Sequence, residues 1–170
     1  MELWDAYTRE GERTGETLIR GEEIPAGWYH IVCEVIARHK DGTFLAMLRS
    51  RSKLNHPGVW EVTAGGSALQ GEDLLQCIRR ELREETGILC EEFTLIETTI
   101  YDREQCLYYT FACEVDCDKD YVTLQEGETE DYRWWTEEEL TDYIASGEMI
   151  AMQQERYSSY FRKMGYLAEK

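Results

Sequence analysis

The sequence predicts an α+β fold, or a layered α/β/α arrangement, formed by a single domain over residues 1–170. Strand-like runs come in hairpins, and helical segments stand apart from them, which is typical of sheets covered by helices. The chain is 42% apolar and 12% aromatic over 170 residues. That composition supports a sizeable core, and no linker or repeat divides it.

The first half of the chain predicts strands. A hairpin is expected within the N-terminal segment 1–28, turning around Glu10-Gly11-Glu12. The β-branched run that follows favours a central strand, and Asp41-Gly42 is a hairpin turn signal. The strands expected here cover residues 3–8, 16–20, 29–38, 43–49 and 59–63.

The second half mixes helices with strands. A helix is expected over 73–86, ended by Gly87, because glycine commonly follows a helix C-terminus. Thr136 precedes three glutamates and predicts the start of another helix, which Ser146-Gly147 breaks. The remaining predicted elements are a hairpin over 93–101 and 106–115, a strand over 132–135, and a last helix over 150–164 inside the C-terminal segment 148–170.

Charge limits the possible partners. Eighteen basic residues against 35 acidic ones give a net charge of −17. A field of this sign repels nucleic acid polymers and anionic membranes. A phosphorylated small molecule would need cations placed locally, supplied by a metal ion or by the basic run at residues 49–53.

The chain has neither a secretory signal nor an apolar run of membrane-spanning length, which favours a cytoplasmic location. Its six cysteines form no zinc-type pair, so reduced thiols packed as small core residues are expected. His30 is expected to be a core or edge histidine.

Three carboxylates share one side of the helix predicted over 73–86. Glu81, Glu84 and Glu85 are spaced i, i+3 and i+4, so their like charges repel unless a cation lies among them. Mg²⁺ prefers a few carboxylates together with substrate phosphates. Gly65 and Gly66 let the backbone approach a ligand closely, and the Gly65 carbonyl is a candidate further metal ligand. The segment therefore predicts a site for a metal ion and a phosphate.

The same segment resembles the Nudix box in type and interval at every position. The matching residues are Gly66, Glu72, Arg80-Glu81-Leu82, Glu84-Glu85 and Gly87-Ile88. The resemblance implies the Nudix fold, a mixed sheet between helices with the box as a loop-helix-loop. It also implies a Mg²⁺- or Mn²⁺-dependent hydrolase that splits a diphosphate bond. A solvated acidic helix would explain neither the paired glycines nor the embedded arginine.

The resemblance assigns roles within the box. It implies that Glu81, Glu84 and Glu85 bind the metal ions, and that Glu81 or Glu84 also orients or deprotonates water. It implies that Arg80 holds the box carboxylates, and that Glu72 supports the loop.

Outside the box the candidates stay open. Glu126 and Glu128 lie where some Nudix enzymes place an extra ligand or base, and an ordinary acidic loop is equally compatible. Arg49 and Arg51 are candidate phosphate-binding residues or an ordinary basic edge. The tryptophans at 60, 134 and 135 are expected in the core rather than at a ligand.

Segments around Glu2–Asp5 and Leu54–Glu61 are similar to the branch of the superfamily that includes isopentenyl-diphosphate isomerase. That isomerase uses a cysteine shortly after the position of Trp60, where this chain has Gly65 instead, so isomerisation is disfavoured. A non-catalytic nucleotide-binding module is disfavoured because the box is intact. We expect a hydrolase of a nucleoside diphosphate linked to another group, or of a related small organic diphosphate. The N-terminal hairpin and the C-terminal helix are candidate dimer contacts.

Overall fold

A computed structural model describes residues 1–168 of the chain. It contains nine strands and three α-helices within that range, with a short 3₁₀ turn at Lys119–Tyr121. The strands are β1 (Leu3–Tyr7), β2 (Arg13–Ile19), β3 (His30–His39), β4 (Phe44–Arg49), β5 (Trp60–Glu61), β6 (Ala64–Ser67), β7 (Thr94–Tyr101), β8 (Cys106–Val115) and β9 (Thr129–Trp135). The helices are α1 (Leu74–Thr86), α2 (Glu137–Ser146) and α3 (Ala151–Lys163).

Seven of the strands form one mixed sheet. β3 lies at its centre, parallel to β8 along its whole length and antiparallel to β4 and β6. The path β5–β4–β3–β8–β7 is extended by β9, which pairs antiparallel with β4. β1 and β2 form a separate antiparallel hairpin, which turns at Gly11 with φ of 84°.

Helices cover both faces of the sheet. On one face the apolar side of α1 packs against alternate residues of β3 and β4, including Cys33, Val35 and Met47. On the other face α2 and α3 pack against Ile36 and Phe44. Successive residues of a strand point to opposite faces, so β3 supplies both cores. This arrangement confirms the predicted α/β/α layering and mixed sheet.

α1 begins and ends where its caps predict. Asp73 accepts a hydrogen bond from the Gln76 N–H, and the Gln76 side-chain oxygen accepts one from the Asp73 N–H, which closes a capping box. Gly87 ends the helix in the left-handed region, with φ of 73°. Within α1, Cys77 is buried, whereas Leu75 is 42% exposed.

The main departure from the predicted elements follows Trp60. A strand was expected over 59–63, but β5 covers only two residues, and the glycine-rich Ala64–Ser67 forms β6. Glycine is poor in strands, so sequence patterns do not favour this assignment. The reason for a strand here is close packing. A Cβ on Gly65 would lie 2.3 Å from the carbonyl oxygen of Cys33 on β3.

Candidate functional site

A cavity of about 610 Å³ opens beside the N-terminal half of β3. α1 and β6 supply one wall, and the loops after β4 and before β9 supply another. The N-terminal hairpin and α3 complete the enclosure. Its charged lining residues are Glu2, Arg20, Glu34, Arg49, Lys53, Glu61, Arg80, Glu81, Glu84, Glu85, Glu128 and Arg156.

Arg80 ties the box together. Its Nε and Nη2 donate to the two carboxylate oxygens of Glu72 at 2.7 and 2.9 Å. Its Nη1 donates to Glu81 at 2.6 Å and to Glu84 at 3.1 Å, and its Nη2 also reaches the Ser67 carbonyl. These bonds hold the helix carboxylates against the loop that precedes the helix, which is the role that the resemblance implied for Arg80 and Glu72.

The two glycines of β6 make room for the helix carboxylates. A Cβ on Gly66 would lie 2.6 to 2.7 Å from all three carboxylate atoms of Glu81. The Gly65 N–H donates to Glu85 at 3.0 Å. A side chain at position 66 would displace the Glu81 carboxylate, and one at position 65 would collide with β3, so the two glycines allow β6 to lie close to both Glu81 and β3.

Burial gives the box carboxylates unequal acidities. Burial, followed by the charge of Glu81, raises the pKa of Glu85 to about 8. Burial also raises the pKa of Glu81, against the opposing effect of Arg80. For Glu72 burial is outweighed by the hydrogen bonds from Arg80 and from the Leu69 N–H, which lower its pKa. Glu85 and Glu81 therefore lack sufficient positive charge around them.

The donor set fits a hard cation held jointly by protein, water and substrate. Glu81, Glu84 and Glu85 all line the cavity, beside Gly65. Within residues 1–168, no three His, Cys, Asp or Glu side chains converge closely enough to hold an ion by themselves. Arg80 lies between the glutamates, and Mg²⁺ commonly takes only one or two carboxylates and keeps several waters. A cation here would supply the charge that Glu85 and Glu81 lack.

Two basic side chains outside the box also line the cavity. Arg49 donates to Glu61 at 2.9 Å and Lys53 pairs with Glu128, and all four residues line the cavity. They bridge β4 and its following loop to neighbouring segments. A substrate phosphate could replace the Glu61 carboxylate as the partner of Arg49, or the Glu128 carboxylate as the partner of Lys53.

Two of the proposed supporting residues lie elsewhere. The Arg51 side chain is 75% exposed and pairs with Glu130, outside the cavity. Glu126 is exposed and is also absent from the lining. The loop after β4 turns at Ser50, so neighbouring basic residues point in different directions. A supporting role for Arg51 and Glu126 stays a prediction, whereas Arg49 and Glu128 line the cavity.

Sequence patterns missed the part of the lining that comes from distant elements. Glu34 on β3 is buried, and it accepts hydrogen bonds from Arg156 and Tyr157 of α3 and from Thr110 of β8. His30 stacks on Trp4 of the hairpin at 4.2 Å, and burial lowers its pKa to about 4. The presence of a glutamate inside the apolar run of β3 is the signal that could have identified Glu34. Its partners could not be inferred, because they lie more than 70 residues away in the chain.

The three tryptophans weighed as possible stacking platforms are absent from the cavity lining. Trp135 is buried and Trp60 packs beside it in the core under α2 and α3. The expectation that they are core residues therefore agrees with the structure.

A family model described as NUDIX domain matches residues 28–153, from β3 to the first turn of α3. A Nudix hydrolase of Listeria monocytogenes is 36% identical over 151 residues, covering 88% of this chain and 89% of that protein. The chain belongs to the Nudix family. This confirms the expected superfamily and the enzyme class, a Nudix pyrophosphohydrolase.

Solved structures agree at the level of the Nudix fold. The crystal structure of DR0079 from Deinococcus radiodurans superposes with a TM-score of 0.65 at 20% identity, covering 86% of this chain and 90% of that one. The Nudix domain of Shewanella oneidensis NrtR, crystallised with ADP ribose, gives a TM-score of 0.55 at 17% identity, covering 69% and 77%. In the described part of this Nudix chain, no helix is both long and apolar enough to cross a membrane.

Proposed function

We propose that this Nudix chain hydrolyses a diphosphate bond, with Mg²⁺ or Mn²⁺, in a nucleoside diphosphate linked to another group or in a related small organic diphosphate. The observation that carries the proposal is the group of box carboxylates crowded into one cavity wall, two of them with raised pKa values. Basic side chains line the same cavity. This is the distribution of charge that a bound metal–diphosphate requires.

The charge of the cavity supports a role for the metal. Seven glutamates and five basic residues line it, and each basic side chain is ion-paired with a glutamate. A diphosphate entering alone would meet an excess of negative charge. The ion, when bound, neutralises the non-bridging oxygens and lowers the pKa of water. Glu81, Glu84 and Glu85, with the Gly65 carbonyl, are the residues proposed to hold it.

The residues of the chain would then have different roles in the reaction. Arg80 fixes Glu81 and Glu84, so that their carboxylates keep one geometry through the reaction. Either Glu81 or Glu84 orients the attacking water or takes its proton. Arg49 and Lys53 bind phosphate oxygens, and Lys53 then separates from Glu128.

The cytoplasmic location is also proposed, and six free cysteines support it, because disulfides are rare in reducing compartments. Dimer formation stays a prediction. α3, one of the two segments considered for it, packs against the core of its own chain and lines the cavity.

The test is Glu84→Gln. Glu84 is the most exposed of the three box carboxylates, so its replacement should leave the fold intact. Phosphate release is measured over a panel of nucleotide sugars, dinucleotides, coenzymes and nucleoside triphosphates with each metal. We expect loss of metal-dependent turnover by at least about a hundredfold, with unchanged circular dichroism. Full activity in the variant would remove this assignment of the site.

A further inference from the structure

α3 carries a buried, unpartnered hydrogen-bond acceptor on a residue that lines the cavity. Gln153 is only 7% exposed, yet it lines the cavity. Its Nε2 donates to Glu61, and its Oε1 is buried with no hydrogen-bond partner among the described residues. Buried acceptors are normally satisfied, so an unmatched one on a cavity-lining residue indicates that something else supplies the donor.

The orientation of the Gln153 amide follows from its partner. Glu61 is ion-paired with Arg49, so its carboxylate can only accept. The nitrogen of the amide must therefore face Glu61, and the oxygen must face away from it. Reversing the amide would bring two oxygens together and would not remove the unmatched acceptor.

Gln153 lies beside the groups proposed to bind phosphate. Arg49 and Gln153 contact the two different oxygens of Glu61. Arg156, one turn further along α3, also lines the cavity, with its guanidinium 4.2 Å from the ring centre of Tyr108. Three of its five N–H groups donate within the protein, two to Glu34 and one to Met152. A hydrogen-bond acceptor on Gln153 and a guanidinium with further N–H groups on Arg156 therefore lie near the residues proposed to bind phosphate.

Building on the proposed function, we propose that Gln153 Oε1 accepts a hydrogen bond from a hydroxyl of the sugar attached to the diphosphate. The site would thereby be specific for a hydroxylated moiety. A hydroxyl can donate to Gln153 and accept from Arg156 at once, which satisfies both side chains of α3. In such a substrate the sugar is attached directly to the diphosphate. Gln153 shares the partner Glu61 with Arg49, which is proposed to bind phosphate, so it lies where the sugar would be. An isoprenyl or simple alkyl chain offers no donor and would leave Oε1 buried and unpaired.

Two non-hydrolysable probes test this without relying on turnover. They are adenosine 5′-(α,β-methylene)diphosphate and its 2′,3′-dideoxy counterpart, titrated with Mg²⁺ in a calorimeter. Contacts to the base and the phosphates are the same in both, so the difference in affinity reports the hydroxyls. We expect the unaltered protein to bind the dideoxy probe about tenfold more weakly.

The variant Gln153→Met keeps the side-chain length and removes the acceptor. It should lose most of the tenfold preference, because only the contact of the hydroxyl with Arg156 remains. The matched control Gln154→Met, on the same helix but outside the cavity lining, should keep the tenfold preference. Equal binding of the two probes by the unaltered protein would overturn the proposal, and that comparison needs no variant to fold. A tenfold preference that persists undiminished in Gln153→Met would also overturn it.

The two proposals can fail separately. Loss of the hydroxyl preference alongside Glu84-dependent phosphate release from the substrate panel would refute the Gln153 subsite alone. Absence of that metal-dependent release from every compound would refute the hydrolase assignment, whatever the probes do.

Discussion

Replacing Arg156 with methionine should destabilise the fold substantially, because Arg156 neutralises a buried carboxylate. The side chains of Arg156 and Glu34 are only 5% and 7% exposed. Arg156 Nε and Nη2 donate to the two oxygens of Glu34 at 2.6 and 2.8 Å. Removing one partner of such a pair typically costs about 3–5 kcal/mol, since the other charge stays buried. Thr110 and Tyr157 still donate to Glu34, which places the expected loss near the lower figure.

Urea unfolding monitored by tryptophan fluorescence measures this loss. With a slope of about 2 kcal/mol per molar urea, a loss of about 3 kcal/mol lowers the midpoint by roughly 1.5 M. Arg9→Met is the matched control, because Arg9 makes a similar two-bond pair with Asp102, but both side chains are more than half exposed. The control should leave the midpoint nearly unchanged.

The double variant Glu34→Gln with Arg156→Met separates charge from packing. It removes the unpaired charge and should recover part of the loss. A midpoint for Arg156→Met equal to that of the unaltered protein, or a double variant no more stable than the single one, would refute the argument that burial makes this pair important.

Two further predictions concern the cavity. In the folded metal-free protein the pKa of Glu85 is raised from 4.5 to about 8. Between pH 4.5 and about pH 8 the folded protein therefore binds more protons than the unfolded chain, and its stability should fall as the pH rises through this range. Thermal unfolding should show this fall, and Mg²⁺ should stabilise the protein more at pH 9 than at pH 5. The variant Glu85→Gln should show a smaller change of stability with pH. A metal-free stability that rises over this range would contradict the prediction. Lys53→Ala should raise KM about tenfold or more by removing a charge-assisted phosphate contact, whereas Arg51→Ala, which faces solvent, should leave KM unchanged. Equal effects of the two substitutions in steady-state kinetics would contradict the placement of Lys53 in the site.

The box was largely predictable from the sequence because its signals are local. The spacing of Glu81, Glu84 and Glu85 fixes their relative positions once the segment is helical, and Asp73 and Gly87 mark where the helix begins and ends. Arg80 lies one turn from Glu84, so their pairing also follows from helical geometry. Strands with β-branched or alternating patterns, such as β3 and β8, were predicted within about one residue of their bounds.

The rest of the site depends on contacts between residues far apart in the chain. β6 is a strand because Gly65 fits closely against β3. The sequence does not indicate this, because glycine-rich segments are not typical of strands. Lys53 and Arg51 have the same type of charge and nearly the same position, yet the turn at Ser50 directs only Lys53 into the cavity.

The sequence by itself determined the Nudix box, its helix and the crowding of carboxylates on one side of that helix, because residues within a turn or two are related by fixed geometry. Only the tertiary structure decided which basic residues face those carboxylates and brought Glu34, Gln153 and Arg156 to the same cavity. Packing of α3 against the central strand sets those positions, and no local spacing encodes them.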